Sequence, residues 1–329
     1  MYRFIIGIDV SKLTIDVSYT SDGHPEYLGQ YENSSEGFCQ LIKDLKTKST
    51  LKFKDWFMCF ENTGSYSKSL LEWLISKKIA CLEENGLRIS NSLGIKRAKT
   101  DKIDSLDICS YAFEKRHKLK PSLLPDSVIL ELRHILSYRE ALVKQKQGLS
   151  ICLKDKNVQK QTIAELSEVN KVLISNLKRA IKKLDKKIES LIRQNSQIEE
   201  NYNLVKSVVG IGPINAVNII CTTENFVKIK DGRKMAANCG IAPYPKESGK
   251  KTSRKRVSKI GNKKLKALLS NAACSAVQHD HQLSAYFQRK IADNKHFGTV
   301  INAVKNKLIH RIFAVVKRKT PYVNINVYA

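Results

Sequence analysis

No apolar run in the sequence approaches the roughly 20 residues that a transmembrane helix needs. The opening segment MYRFIIGIDVSK becomes polar too early for a secretory signal peptide. The 8 cysteines include no CxxC pair, and no histidines cluster at the spacing of metal ligands. These absences exclude a membrane-spanning protein and a zinc module. They predict a soluble, cytoplasmic protein whose cysteines are reduced and mostly buried.

Acidic residues are also scarce, because 31 Asp and Glu stand against 58 Lys and Arg, which gives a formal net charge of +27. So large an excess of positive charge predicts a polyanionic partner, with nucleic acid ahead of an anionic membrane. The length of 329 residues and the hydrophobic fraction of 42% are enough for two or three domains, each with its own core.

The first part of the chain alternates between strand-like and helix-like patterns. Short apolar runs are separated by turn residues, and amphipathic segments lie between the later runs. The order is three meandering strands, helix, strand, helix, strand and helix, which is typical of a ribonuclease-H-like α/β fold. The predicted strands are 3–10, 13–20, 26–31, 56–61 and 79–82, and the predicted helices are 35–46, 67–77 and one beginning near Thr100.

The pattern changes after Pro121 and Pro125, where Leu and Ile recur at helical spacing between charged residues. We therefore predict an α/β domain over 1–124, a helical coiled-coil region over 125–200 and a mainly α domain over 201–329. The coiled-coil seam could pair between chains or pack as an amphipathic helix on its own domain. Its residues are Ile174, Leu177, Ile181, Leu184, Ile188 and Leu191.

Gly210 and Gly212 lie in the segment LVKSVVGIGPINAVNII, between two apolar helical stretches. This pattern is similar to a helix-hairpin-helix, in which backbone N–H groups at the start of the second helix hold a phosphate oxygen. The same turn can also serve only to pack two helices together.

Four acidic residues follow apolar segments in this basic chain. Asp9 ends the first predicted strand and Glu61 ends the fourth, while Asp101 and Asp104 share one face of the helix that Thr100 would cap. Carboxylates gathered at strand ends are the ligands that two-metal phosphoryl transfer requires, with Asp9 the natural bridging residue. Taken singly, each acid could instead be a turn or cap residue, or a favourable charge at a helix N-terminus.

Basic residues surround these acids and dominate a later segment, in which Glu247 is the only acid. A run with so little counter-charge predicts contact with a nucleic-acid backbone. The candidate nucleic-acid-binding residues, together with Gly210 and Gly212, are Lys12, Lys96, Arg97, Lys99, Lys102, Lys246, Lys250, Lys251, Arg254, Lys255, Arg256, Lys259, Lys263 and Lys264.

The sequence resembles the DEDD transposases and recombinases of bacterial insertion elements, which include Piv-type DNA invertases and bridge-RNA-guided recombinases. The N-terminal matches are IIGIDVSKLTIDV, FENTGSYS and KRAKTDKIDSLDI. The C-terminal matches are LVKSVVGIGPINAVNII, CGIAPYPKESGKKTSRKRVSKIGNKKLKALL and NAVKNKLIHRIFAVVKRK. The motifs occur in the family's order along nearly the whole chain.

The resemblance implies that Asp9, Glu61, Asp101 and Asp104 form the Mg²⁺-binding tetrad of a RuvC-like domain, with two ions per site and Mn²⁺ able to substitute. It also implies a nucleophilic serine in a Ser-Gly motif of a C-terminal transposase domain. Here that residue is Ser248, with Ser253 and Ser258 as nearby competitors. This chain departs from the family by carrying Glu247 where other members often have a second serine.

The function implied is cutting and rejoining of donor and target DNA by a homo-oligomer, a dimer or tetramer, in the bacterial cytoplasm at the nucleoid. Some members of the family use an element-encoded guide RNA, and the sequence leaves this open. The alternative is a Mg²⁺-dependent nuclease or junction resolvase in which water attacks. An actin-like or sugar-kinase ATPase would need a second Gly-rich phosphate loop, which the sequence lacks, and a non-catalytic nucleic-acid-binding protein would not need all four acids.

Overall fold

The computed structural model describes residues 2–94, 100–154, 164–248, 251–258 and 260–324. Within these ranges, the side chains of 65, 93, 152–154, 164–165, 245–248 and 251–256 are not described. The chain divides into two compact units, Met1–Leu124 and Pro125–Ala329. In the described ranges no helix is long and apolar enough to span a membrane.

The N-terminal unit is built on a five-stranded mixed sheet of order β3-β2-β1-β4-β5. β1, β2 and β3 are antiparallel neighbours, whereas β4 runs parallel to β1, and β5 runs parallel to β4. Central strands of such a sheet are covered on both faces, which explains why β1 and β4 read as continuous apolar runs. The strands are β1 (Phe4–Val10), β2 (Thr14–Thr20), β3 (Glu26–Glu32), β4 (Trp56–Glu61) and β5 (Cys81–Glu84).

Helices cover both faces of this sheet. Even-numbered β1 residues such as Ile6 and Ile8 pack in one core with α1 and α2, while odd-numbered residues such as Ile5 face α4 in a second core. This follows from the alternation of side chains along a strand. The alternation also places Gly7 and Asp9 on the α4 face. The helices are α1 (Ser35–Lys48), α2 (Ser65–Ser76), α3 (Gly86–Leu93) and α4 (Asp101–Lys115).

The C-terminal unit is mainly helical around one large apolar core. Its elements are α5 (Ser127–Lys154), α6 (Ala164–Arg193), α7 (Ser196–Ser207), α8 (Pro213–Thr223), α9 (Gly232–Asn238), β6 (Pro243–Ser248), β7 (Lys251–Val257), α10 (Lys263–His279), α11 (His281–Ala292) and α12 (Phe297–Arg318).

The predicted heptad seam lies on α6, which packs against α5 of the same chain. The two helices are antiparallel, because Glu131 of α5 pairs with Lys187 of α6 while Leu149 accepts a hydrogen bond from Asn170. Seam residues near the C-terminal end of α6, including Ile188, are buried in the core of the unit. The seam therefore has an intramolecular partner along α5, and a coiled coil between chains stays a prediction.

Most predicted elements of the first unit agree with the structure to within two residues, and α4 begins at Asp101 with Thr100 as its N-cap. Two elements are absent from the sequence prediction. The helix α3 was not expected, and two stretches of the segment that was read as a basic run form the antiparallel strands β6 and β7. The sequences of the two strands, PYPKES and KTSRKRV, lack the apolar alternation that reveals a strand.

Candidate metal centre and nucleic-acid interface

Asp9 and Glu61 lie at neighbouring strand ends in the N-terminal unit. β1 and β4 are parallel, with Ile8 and Phe60 as Cα partners, so the residue after each of them emerges at the same edge of the sheet. Both side chains are only partly exposed. Parallel pairing thus places the two predicted carboxylates side by side.

The helix α4 brings Asp101 and Asp104 to the same edge because it lies unusually close to β1. A Cβ atom built on Gly7 would lie 2.2 Å from the backbone nitrogen of Cys109 and 2.5 Å from the carbonyl oxygen of Ser105. Only glycine permits this approach of helix backbone to strand. A buried hydrogen bond of 2.7 Å between the hydroxyls of Ser105 and Ser18 also joins α4 to β2.

The electrostatics of Asp9 show that the four predicted acids are gathered. The pKa of Asp9 is raised from 3.8 to about 6, first by burial and then by the charges of Asp104, Asp101, Glu61 and Asp16, in that order. Like charges disfavour ionisation of a carboxyl group when they are near, especially where water is partly excluded. The other three predicted acids therefore lie within electrostatic reach of Asp9.

The position of Glu61 is fixed by the start of α3. A Cβ atom on Gly86 would lie 2.1 Å from Oε1 of Glu61, so the carboxylate occupies the space that any larger residue would need. Asn85 caps this helix by accepting a hydrogen bond from the Leu87 N–H group. The sequence prediction missed α3 and with it the element that holds Glu61 in place.

Asp16 is a fifth carboxylate that the sequence prediction also missed. It is the direct cross-strand partner of Asp9 between β1 and β2, and it is only 4% exposed. Its oxygens accept hydrogen bonds from the Tyr27 hydroxyl at 2.6 Å and the Gln30 side-chain amide at 2.9 Å. The available signal was that Asp16, Ser18 and Thr20 alternate with apolar residues, which marks a polar but covered strand face.

The donor set fits a hard divalent cation in charge and atom type, since all its members are carboxylates. Among the described residues, no three His, Cys, Asp or Glu side chains are grouped so that they could hold one ion. Mg²⁺ does not require such a group, because it usually binds one or two carboxylates and takes its other ligands from water and substrate phosphate. The clustered charge is therefore compatible with a site that substrate completes.

The predicted basic residues of this unit fall into two groups. Lys12 and Lys102 are exposed and follow Asp9 and Asp101 closely in sequence, and the Lys102 ammonium lies 4.9 Å from the centroid of the Tyr27 ring. The remaining residues, Lys96, Arg97 and Lys99, lie outside the described residues.

Ser248 is the last residue of β6, and its backbone pairs with Lys251 of β7. Its side chain lies outside the described part of the structure. The hydroxyl of Ser258, one of the competing serines, accepts a hydrogen bond from the N–H group of Ile260. Predicted residues whose side chains or whole placement are likewise not described are Lys246, Lys250, Lys251, Ser253, Arg254, Lys255, Arg256 and Lys259.

Two predicted cations at the start of α10 have different surroundings. Lys263 is exposed, whereas Lys264 forms an ion pair with Glu140 of α5 at 2.6 Å. The interpretation that Glu247 is the only acid near this basic run was therefore incomplete, since Glu140 is 124 positions away in sequence. The hydrogen bond from Lys264, with help from Lys144, lowers the pKa of Glu140.

The two glycines of the α7–α8 turn have different roles in the fold. Gly210 has φ of +91°, and a Cβ atom there would lie 2.5 Å from the carbonyl oxygen of Ala272 in α10. Packing thus explains Gly210 without any ligand. Gly212 is the N-cap of α8, with Pro213 as the first helical residue, and a Cβ atom built there would meet nothing within 4 Å. Gly212 alone keeps the surroundings that a phosphate contact needs.

Two family models match the chain in separate regions. Residues 6–156 match the DEDD transposase model of the IS110 group, described as "Transposase". Residues 202–288 match the model described as "Transposase IS116/IS110/IS902 family". The chain belongs to this family of DEDD transposases, and it is a DNA transposase/recombinase. The acidic cluster lies within the first match and Ser248 within the second.

Similar curated proteins agree with this assignment. The pilin gene-inverting proteins of Moraxella bovis and Moraxella lacunata are each 24% identical over 333 residues, which is 98% of this chain and 98% of theirs. A probable family 20 transposase of Pseudomonas aeruginosa is 27% identical over 168 residues, covering 49% of this chain and 47% of its own. The family implies a DNA substrate and the use of divalent metal.

Proposed function

We propose that this enzyme cuts and rejoins DNA strands, with Asp9, Glu61, Asp101 and Asp104 holding Mg²⁺ and with Ser248 as the nucleophile. The observation that carries the proposal is that the other three carboxylates lie near the partly buried Asp9, whose pKa is raised to about 6 first by burial and then by their charges. A fold does not maintain such repulsion without compensation, and a divalent cation supplies it.

The sheet supports a ribonuclease-H-like interpretation of the N-terminal unit. Its order β3-β2-β1-β4-β5 has three antiparallel strands followed by two strands parallel to β1. In this arrangement the ends of β1 and β4 and the first turn of α4 supply the acids. The fold proposal and the site proposal therefore rest on the same elements.

A serine nucleophile would allow the cut strands to be rejoined without an external energy source. The Ser248 hydroxyl loses its proton as its Oγ bonds to phosphorus, and the bond from phosphorus to one deoxyribose oxygen breaks, which leaves a free hydroxyl on that strand. The phosphoserine diester keeps the bond energy, and attack by the hydroxyl of another strand releases the serine. Transposition and inversion, the activity for which the Moraxella relatives are named, both require exchange of this kind.

Divalent cations held at these acids, each by one or two carboxylates and otherwise by water and substrate phosphate, would polarise the phosphate and favour ionisation of an attacking hydroxyl. Asp9 would be the central residue of those that hold the cations, since the charges of the other three acids act on it. The buried base of β1 and the close approach of α4 at Gly7 keep these carboxylates fixed. The chain itself thus supplies orientation, and it excludes water from the inner side of the cluster.

Nucleic-acid binding by the exposed basic residues is supported by the net charge of +27 and by Lys12 and Lys102, which follow Asp9 and Asp101 closely in sequence. We extend the proposal to phosphate contacts by Lys263 and by the backbone at Gly212, where a built Cβ atom would meet nothing within 4 Å. A guide RNA, a homo-oligomer and a location at the nucleoid stay predictions. Copurification of RNA with the protein tests for a guide RNA. The mass of the protein bound to DNA, measured by light scattering, tests for a homo-oligomer.

The test of the nucleophile uses DNA that carries the ends of the source element joined to its flanking sequence. The protein is incubated with this DNA and Mg²⁺, together with any RNA that copurifies, and the products are separated on a denaturing gel. We expect a covalent protein–DNA adduct that is lost in Ser248→Ala and in Asp9→Asn. Ser253→Ala and Ser258→Ala are matched controls that should retain it.

The hydrolytic alternative gives a different gel. If water is the nucleophile, Ser248→Ala leaves cleaved ends at the wild-type rate, and no adduct forms with any variant. An adduct that survives Ser248→Ala but disappears in Ser253→Ala or Ser258→Ala would move the nucleophile to that serine and leave the metal site unaffected.

A further inference from the structure

We propose that Asp16 is a positioning residue of the metal site, a fifth carboxylate whose fixed charge raises the affinity of the acidic cluster for divalent cations without binding the ion. This inference rests on the proposed metal binding by Asp9 and its three partners. Asp16 is not one of the four predicted acids, and it does not end a strand as Asp9 and Glu61 do, since it lies in the middle of β2.

The register of the sheet places Asp16 beside the site. Asp9 and Asp16 are Cα partners in the antiparallel β1–β2 pair, so their side chains leave the same face of the sheet. On that face, Gly7 and Ser18 contact α4 one pair further along. Asp16 is thus buried on the face that packs against the helix carrying two of the tetrad acids, and its charge contributes to the raised pKa of Asp9.

The carboxylate of Asp16 is held in one orientation. Each oxygen accepts one hydrogen bond, from the Tyr27 hydroxyl and from the Gln30 amide, and both donors are neutral. Within the described ranges no lysine or arginine forms an ion pair with Asp16; the neighbouring Lys102 lies over the Tyr27 ring instead. The negative charge is therefore oriented but not neutralised.

Placing the buried charge of Asp16 opposite Asp9 costs free energy, and its two hydrogen bonds alone do not explain why a charged residue stands there. Like charges directly opposite each other in a sheet are unfavourable, and so is a buried charge without a cation. An asparagine could accept a hydrogen bond at this position without either cost. A cation bound beside Asp9 reverses the sign of the interaction, so the energetic benefit of Asp16 is realised only in the metal-bound state. Residues that act on a metal through its ligands typically change its affinity about 10- to 100-fold.

The experiment titrates the full-length protein with Mn²⁺ by isothermal titration calorimetry. We expect Asp16→Asn to weaken Mn²⁺ binding about 10- to 100-fold. Tyr27→Phe removes one hydrogen bond but keeps the charge, and its affinity should stay within about 3-fold of wild type, since a factor of ten needs about 1.4 kcal/mol. In strand cleavage, Asp16→Asn should raise the half-saturating Mg²⁺ concentration while the rate at saturating Mg²⁺ approaches that of wild type.

A second pair of variants protects the test against loss of folding. Asp16→Glu and Asp16→Gln have side chains of equal size, so they share any packing damage and differ in charge. Binding must be tighter in Asp16→Glu than in Asp16→Gln. Equal affinity within this pair, or wild-type affinity in Asp16→Asn, would overturn the inference while leaving the metal site standing. Absence of Mn²⁺ binding to the wild-type protein, both alone and with DNA bound, would instead overturn the proposed function.

Discussion

Replacing Asp9 by asparagine should stabilise the metal-free protein although it removes the central ligand of the proposed site. Burial and four neighbouring carboxylates raise the pKa of Asp9 from 3.8 to about 6. A shift of this size corresponds to ~3 kcal/mol at 1.36 kcal/mol per unit. Because the side chain is partly exposed and solvent screens its interactions, we expect about half of this, or ~1–2 kcal/mol.

The pH dependence gives the sign of the effect. Below about pH 4 the Asp9 carboxyl is neutral in the folded and unfolded states, so it costs no stability there. Between pH 4 and its folded pKa of about 6 the unfolded state ionises first, and stability falls until both states are charged. Asp9→Asn should therefore match wild type near pH 4 and exceed it by ~1–2 kcal/mol above pH 7.

Urea unfolding in EDTA, followed by tryptophan fluorescence, measures this difference. The chain has 2 tryptophans, Trp56 and Trp73, and both lie in the N-terminal unit, so the signal reports the unit that contains Asp9. Asp22→Asn is the control. The Asp22 carboxylate accepts hydrogen bonds from the His24 N–H group and the Thr20 hydroxyl, which lower its pKa, so replacing it by an amide should not increase stability. A metal-free Asp9→Asn protein no more stable than wild type at pH 7.5 would refute the electrostatic reasoning. Mg²⁺ should reverse the order by stabilising wild type alone.

Other substitutions test the packing that builds the site. Gly7→Ala should lower stability by about 3 kcal/mol and reduce cleavage, because the new Cβ meets the backbone of α4. Gly148→Ala, whose new Cβ would meet nothing within 4 Å, should instead raise stability by about 0.5–1 kcal/mol. Urea unfolding measures both changes. Arg311→Met should cost about 3 kcal/mol, because it leaves the fully buried carboxylate of Asp280 without its cation, and a melting temperature equal to wild type would contradict this. Gly210→Ala should destabilise the C-terminal unit, because its Cβ would strike α10, and calorimetry should show that unit melting earlier.

The N-terminal elements could be predicted from the sequence because their signals are local. β4 is a continuous apolar run, and Thr100 is a cap followed by acids, so strand and helix ends carry their own chemistry. Asp9 and Glu61 stand out for the same reason, as polar residues that end apolar strands. Whether these two carboxylates lie close together depends on the register of the parallel strands β1 and β4. The sequence predicts the strand order but does not give this register.

The missing parts depend on contacts between distant residues. Asp16 is in mid-strand, and its importance appears only when the register places it opposite Asp9. The need for glycine at position 86, at the start of α3, becomes visible only through its close contact with Glu61. Similarly, Glu140 meets Lys264 only because α5 packs beside α10. None of these pairs has a periodic or motif-like signal, so local pattern could not reveal them.

The most direct test of the metal site is anomalous diffraction from crystals of the full-length protein grown with Mn²⁺ and DNA. The account predicts an anomalous peak within about 2.0–2.4 Å of an Asp9 carboxylate oxygen and of at least one among Glu61, Asp101 and Asp104. Asp16 should approach the ion without coordinating it. A peak bound by other residues, or no peak near Asp9 while DNA is bound, would contradict the central claim that these carboxylates form a metal centre.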